Sequence, residues 1–180
     1  LGKKVSDQWA SIGHSQGGHA VLGAAQYASR AQLNYKGTVA IAPASNLASI
    51  LTIGEQQAST LPINYQIQML AQLDTYTALI VAGMQGHNKS VTYNEVFKND
   101  TVILAPIAEA ECSSTVGVQL GTAMSIYAAG IGQGTLTGYG RLQSGFMSIP
   151  VIDTFLKKDS QPGLAPLNKK VFIYQGEADT

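Results

Sequence analysis

Ser15 stands in Gly13-His14-Ser15-Gln16-Gly17-Gly18, whose Gly-x-Ser-x-Gly spacing suits a hydroxyl nucleophile. A serine hydroxyl reacts poorly near neutral pH unless a base removes its proton and nearby dipoles take up the charge that develops on the substrate. The spacing addresses the second need. In a strand-turn-helix elbow the serine is held in a strained backbone conformation, and the residues two before and two after it must be small for strand and helix to approach. Gly13 and Gly17 are placed to meet that demand. The N–H of Gln16 then opens the helix, backed by the positive end of the helix dipole, and points to where an oxyanion would form. The chemistry implied is acyl transfer through a covalent intermediate on Ser15.

An elbow needs a strand before it and a helix after it, and both are legible. Trp9-Ala10-Ser11-Ile12 is a short apolar run of the kind that a buried parallel strand shows. Ala20, Val21, Ala24, Ala25 and Ala28 recur at helical spacing with side chains small enough for close packing on a sheet. Two further strand candidates follow at 37–43 and 170–175, rich in Val, Ile and Phe. With the intervening helix they predict a parallel sheet with right-handed crossovers. The core is therefore expected at 1–43 and 168–180, with 44–167 inserted as a mainly helical cap.

Within the insert, Ile63, Ile67, Leu70, Leu73, Ile80, Val81 and Met84 trace one helical stripe, stopped by Gly83 and Gly86. Thr92-Tyr93-Asn94-Glu95 has the form of a capping box and predicts a short helix over 93–98. Val116, Leu120, Met124 and Tyr127 continue the rhythm before a glycine-rich stretch at 130–145, which lacks the Gly-Lys-Ser/Thr of a phosphate loop. A last helix is expected over 151–158. An insert placed after a parallel strand emerges on the face where the strands end, so this cap is expected to roof Ser15.

Ser15 also needs a histidine base and a carboxylate to orient it. Asp179 follows the strand Val171-Phe172-Ile173-Tyr174 and the turn Gln175-Gly176, where a triad acid belongs; Glu177 and Asp153 are less well placed. No histidine follows Asp179. His14, beside the nucleophile, suits shaping of the pocket; His19 lies one helical turn on and faces neighbouring loops; His87 reads as a solvated turn residue. The loop that normally supplies a second oxyanion donor is not recognisable either, so the chain reads as the middle of an enzyme.

Composition narrows the partners. The formal charge is zero, with no basic or acidic block to attract a phosphate backbone, so nucleic acid is not an expected partner. The longest apolar stretch, Ala78-Leu79-Ile80-Val81-Ala82, is far short of the roughly 20 residues of a membrane span. No signal peptide is visible, and a mature or excised chain would have lost one. Cys112 is the single cysteine, read as a buried or half-buried free thiol or as half of a bridge to a cysteine elsewhere. Asn88-Lys89-Ser90 and Asn99-Asp100-Thr101 are sequons that permit N-glycosylation in a eukaryotic secretory pathway.

Gly13-His14-Ser15-Gln16-Gly17-Gly18-His19-Ala20, together with Val171-Phe172-Ile173-Tyr174-Gln175-Gly176-Glu177-Ala178-Asp179, resembles the α/β-hydrolase superfamily. More narrowly, the chain is similar to secretory lipases of the lipase-A-like branch, with a large helical lid between elbow and acid. The two end motifs span about 50 residues, and the insert supports the branch by size and character only. The resemblance implies hydrolysis of a carboxylic ester or lipid, with Ser15 as nucleophile, Asp179 as triad acid and Gln16 N–H in the oxyanion hole. It further implies a secreted location, no metal or organic cofactor, and the rest of the hydrolase fold as another segment or chain. Two other functions share the same residues: a serine peptidase or acyltransferase, and a binding module on a catalytically dead hydrolase fold.

Overall fold

Three apolar runs form strands: β1 (Gln8–His14), β2 (Asn34–Ile41) and β3 (Lys170–Tyr174). They pair in parallel in the order β1-β2-β3, giving an α/β fold with a three-stranded parallel sheet and several helices. The computed structural model describes residues 5–163 and 167–177. The chain divides into two compact units, Leu1–Ile50 with Thr154–Thr180, and Leu51–Asp153.

In the first unit, helix α1 (Gln16–Tyr27) and a short 3₁₀ turn (Ala28–Ala31) connect β1 to β2. Leu22 and Ala28 of this connection are buried, as are Tyr35 and Ala40 of β2. Their burial is the hydrophobic gain that holds helix to sheet. Leu22, absent from the small-residue pattern in the sequence, is the large side chain of α1 that reaches the core. A polar chain adds specificity: Thr38 Oγ1 donates to the Val21 carbonyl at 3.2 Å and accepts from Ser11 Oγ. Thr38 is buried, and these bonds satisfy its hydroxyl. Trp9 packs on Tyr35 at the start of the sheet, with ring centroids 4.5 Å apart.

Between Trp9/Tyr35 and Ser11/Thr38 the register gains one residue on β2, a bulge that includes Gly37. A side chain there would bring its Cβ within 2.6 Å of the Lys170 carbonyl, so only glycine lets β3 pair at this point.

Among the described residues the second sheet face is largely uncovered. Register places Ile12, Val39 and Phe172 in one row and His14, Ile41 and Tyr174 in the next. Ile12 is 70% exposed, Phe172 52% and Tyr174 61%, whereas parallel sheets are normally covered on both faces.

Helix α2 (Leu47–Ala58) carries the chain into the second unit, which contains α3 (Ile63–Gln85), α4 (Tyr93–Val96), α5 (Asn99–Leu104) and α6 (Ser113–Ala129). Helix α7 (Pro150–Thr154) and a π-helical turn (Phe155–Asp159) lead back. The capping box is present: Glu95 accepts from the Thr92 N–H at 2.8 Å, and the helix that it opens ends at Val96, two residues earlier than the sequence predicts. Val116, Leu120, Met124 and Ala128 form the buried row of α6 at four-residue spacing. On α3 the buried surface includes Leu70, Leu73, Val81 and Met84, but also Ala71, Thr75, Thr77 and Ala78. The cause is close helix packing. A Cβ at Gly121 would lie 3.4 Å from that of Ala71, and one at Gly117 would lie 3.3 Å from Thr75 Oγ1, so small residues on both helices set the approach. The buried threonine hydroxyls donate within their own helix, Thr75 to Ala71 and Thr77 to Leu73.

One ion cluster pins this unit. Arg141 donates from Nε to Asp74 Oδ2 at 2.9 Å and from Nη2 to Asp74 Oδ1 at 2.7 Å, and both its Nη atoms reach Glu55. It thereby ties α2 and α3 to the later part of the glycine-rich stretch. Asp74 is fully buried, and burial raises its carboxyl above the usual range despite the guanidinium. Burial works against the Arg141 charge, but its bonds to Asp74 and Glu55 outweigh this and push the guanidinium further up.

Thr101 on α5 is also fully buried, and its hydroxyl finds no hydrogen-bond partner among the described residues. Thr101→Val removes that unpaired group at equal shape, so the variant is expected to be as stable as the parent or more stable by about 1 kcal/mol. Thermal unfolding checks it; a loss above about 1 kcal/mol would reveal a partner for the hydroxyl. Cys112 corrects one expectation: it is exposed, because it sits in the turn ahead of α6 rather than on the packed face. No described helix is long and apolar enough to cross a membrane.

Candidate active site

Ser15 occupies the single residue between β1 and α1, with φ 54° and ψ −119°. A positive φ at a serine is strained, costing roughly 1–3 kcal/mol. Its backbone is locked from both sides: the N–H donates to the Ile41 carbonyl at 2.9 Å, and the carbonyl accepts from the His19 N–H at 3.0 Å and the Ala44 N–H at 3.3 Å. Serine at a helix start usually recovers energy by capping the first free N–H groups. Ser15 makes no such bond, and its side chain is exposed. Gln16 is the first residue of α1, where main-chain N–H groups lie at the positive end of the helix.

The glycine requirement is distributed differently from the motif's spelling. A Cβ on Gly13 would sit 2.1 Å from the Gly17 carbonyl oxygen and 2.9 Å from the Gly18 nitrogen, so β1 and the first turn of α1 meet backbone to backbone there. A Cβ on Gly17 would meet nothing within 4 Å. The second steric demand falls on Gly18, where a Cβ would lie 2.9 Å from the Ile41 carbonyl and 3.0 Å from the Pro43 Cα. Gly13→Ala is therefore expected to lower stability by about 2–3 kcal/mol, while Gly17→Ala should be neutral or raise it by up to about 1 kcal/mol through helix propensity. Urea unfolding of the two variants side by side measures the contrast, and equal losses would show that the elbow is packed otherwise.

The residues around the elbow fall into clear roles. His19 Nε2 lies 2.7 Å from the Ser160 carbonyl oxygen, so that nitrogen carries its proton and is spent on a structural bond. His14 is the last residue of β1, on the exposed side of the sheet. His87 belongs to the turn after α3, in the other unit. The ends of β2 and β3 stay joined beyond their last pair, since the Ala42 N–H donates to the Tyr174 carbonyl at 2.7 Å. Glu177 lies in the exposed turn that follows β3; Asp179 lies outside the described residues. Asp153 sits in α7 and follows no strand. Among the described residues no group of His, Cys, Asp and Glu is arranged to hold a metal.

The second unit holds a cavity of about 250 Å³, lined mainly by Leu51, Leu73, Thr77, Leu142, Phe146 and Met147. Its walls are almost wholly apolar, with Glu55 at the margin. Sequence reading did not find the ion cluster of this unit, although a signal existed: Asp74 is the only charged residue of α3, and Arg141 is the first charge after an uncharged run from Cys112 to Gly140.

No protein-family model matches the chain, and no curated protein or solved structure matches it.

Proposed function

We propose that this chain carries the nucleophile of a serine hydrolase of α/β-hydrolase type that cleaves carboxylic esters, a lipase or esterase. The observation that carries the reading is the backbone of Ser15: a non-glycine residue held at φ 54° between strand and helix, its hydroxyl capping nothing. Strain without a structural return marks a residue positioned for chemistry. In this reading Ser15 Oγ attacks the ester carbonyl while a histidine removes its proton. The oxyanion receives the Gln16 N–H, the alcohol leaves with the proton returned by the histidine, and water releases the acid. Asp179, beyond β3, would orient the histidine.

His19 is committed to Ser160, and His14 adjoins the nucleophile in the chain. In this reading the base and the second oxyanion donor come from the remainder of the hydrolase fold, as another segment or chain. The helical insert 44–167 is read as the cap, and its many apolar residues favour an acyl chain over a charged or sugar-rich substrate. The protein is secreted and needs no cofactor.

The test is labelling with a fluorophosphonate probe, followed by rates on short-chain p-nitrophenyl esters and peptide p-nitroanilides. Labelling at Ser15 with ester cleavage is the expected result. Labelling with faster anilide cleavage would make the protein a peptidase, and absence of labelling in protein that carries a base histidine would leave a binding module.

A further inference from the structure

The inner wall of the cavity in the unit Leu51–Asp153 is made by Leu51, Leu73, Thr77 and Phe146, all of them buried. Thr77 is the one hydroxyl among these four, and its proton is spent on the Leu73 carbonyl at 2.9 Å. Such a wall offers water few partners, so an apolar group gains by taking its place. Size limits the ligand. An apolar cavity of about 150 Å³ is enough for a benzene ring. This one, at about 250 Å³, has room for a ring and a short carbon arm.

The margin has a different chemistry. Thr52 and Gln56 are exposed there, and Glu55 is the only ionisable residue among the described residues that line the cavity. Its side chain keeps 39% of its surface open. Arg141 donates to both Glu55 oxygens, from Nη1 at 3.2 Å and also from Nη2, which fixes the carboxylate in place. Each oxygen retains a lone pair for a further donor. Arg141 is itself shared, because both Asp74 oxygens accept from it as an ionised carboxylate does. Two carboxylates thus face one guanidinium, and the surplus negative charge sits on the cluster whose open member is Glu55. A cation is favoured at this margin, and an anion is opposed.

We propose that this cavity binds an arylalkyl primary ammonium, with its ring among the buried apolar side chains and its N–H groups donating to Glu55. The carboxylate is already held by Arg141, so binding orders little that the fold has not ordered. This site is separate from the serine chemistry, since every lining residue lies in Leu51–Asp153 and no ester is involved.

The test is titration of the full chain with phenethylammonium, phenethyl alcohol and hydrocinnamate at low salt, followed in proton–carbon methyl NMR spectra. Saturable shifts of the Leu51, Leu73 and Met147 methyls are expected. The ammonium should bind about tenfold more tightly than the isosteric alcohol, the worth of one charge-assisted hydrogen bond, and the carboxylate most weakly. Glu55→Gln keeps the shape and should erase the preference. Met147→Trp, at a half-buried lining position, should fill the cavity and abolish binding of all three; if that variant unfolds, Glu55→Gln decides. Ser15→Ala should bind as the parent does, and a loss there would overturn the separateness of the site. Shifts that do not saturate or that lie elsewhere, equal binding of ammonium and alcohol, or a preference retained in Glu55→Gln would each overturn the proposal. Tightest binding of hydrocinnamate would overturn it as well, by making Arg141 the receiving group.

Discussion

Replacing Ser15 by alanine is expected to reduce ester hydrolysis by a factor on the order of 10⁴–10⁶ in the protein that carries its base histidine, with folding intact. The size of the effect follows from the role. If the acyl bond is made to Ser15 Oγ, no neighbouring group can take its place, and what remains is acceleration by the oxyanion donors and by binding. Stability should not suffer. Ser15 is exposed and its hydroxyl caps nothing, so the change removes no hydrogen bond of the fold. Ser15→Gly is a useful companion, because it also relieves the positive φ. It should be equally inactive and more stable than Ser15→Ala by about 1 kcal/mol. Rates on a p-nitrophenyl ester and thermal unfolding of both variants give the answer. Activity within tenfold of the parent in Ser15→Ala would remove the nucleophile assignment, and equal stability of the two variants would mean that the elbow holds no strain.

Arg141→Met is expected to destabilise the second unit by about 3–5 kcal/mol at neutral pH, because it leaves the Asp74 carboxylate buried without its partner. The pH dependence gives the mechanism a signature. Asp74 already titrates above its ordinary value of 3.8, since burial penalises the charged form more than Arg141 favours it. A carboxyl raised in the folded state binds its proton more tightly there than when unfolded. Stability is therefore greatest below the ordinary carboxyl value, falls as pH rises through the folded value, and is level above it. Removing the guanidinium raises the folded value further, so the falling limb should extend to higher pH in the variant. Urea unfolding between about pH 4 and pH 8 should show Arg141→Met recovering stability on acidification much more than the parent does. In Arg141→Met with Asp74→Asn the charge is gone, and much of both the loss and the pH slope should go with it. A loss below about 1 kcal/mol, independent of pH, would show that water reaches Asp74.

The sequence alone determined what depends on local chemistry and period. The runs around Trp9, Val39 and Phe172 read as strands, although Ile12 and most of β3 are exposed rather than buried, and the Gly-x-Ser-x-Gly spacing between a strand and a helix located the strained serine. Thr92 and Glu95 announced a helix start by their three-residue offset, because a capping box is closed within one turn of chain. Tertiary structure decided what depends on approach between distant segments. Gly18, rather than Gly17, makes room for the β2 end, since the path of Ile41 and Pro43 is fixed by the sheet and not by the motif. Cys112 faces solvent, because a residue one step before a helix takes its exposure from the loop path rather than from the helical period. Ala71 and Thr75 are core residues only because Gly117 and Gly121 lie against them, a contact between positions more than forty residues apart. The same holds for Asp74, Glu55 and Arg141. Each is an ordinary charge in the sequence, and only the packing of α2, α3 and the 141 segment takes Asp74 and most of Arg141 out of water and joins them to the part-exposed Glu55.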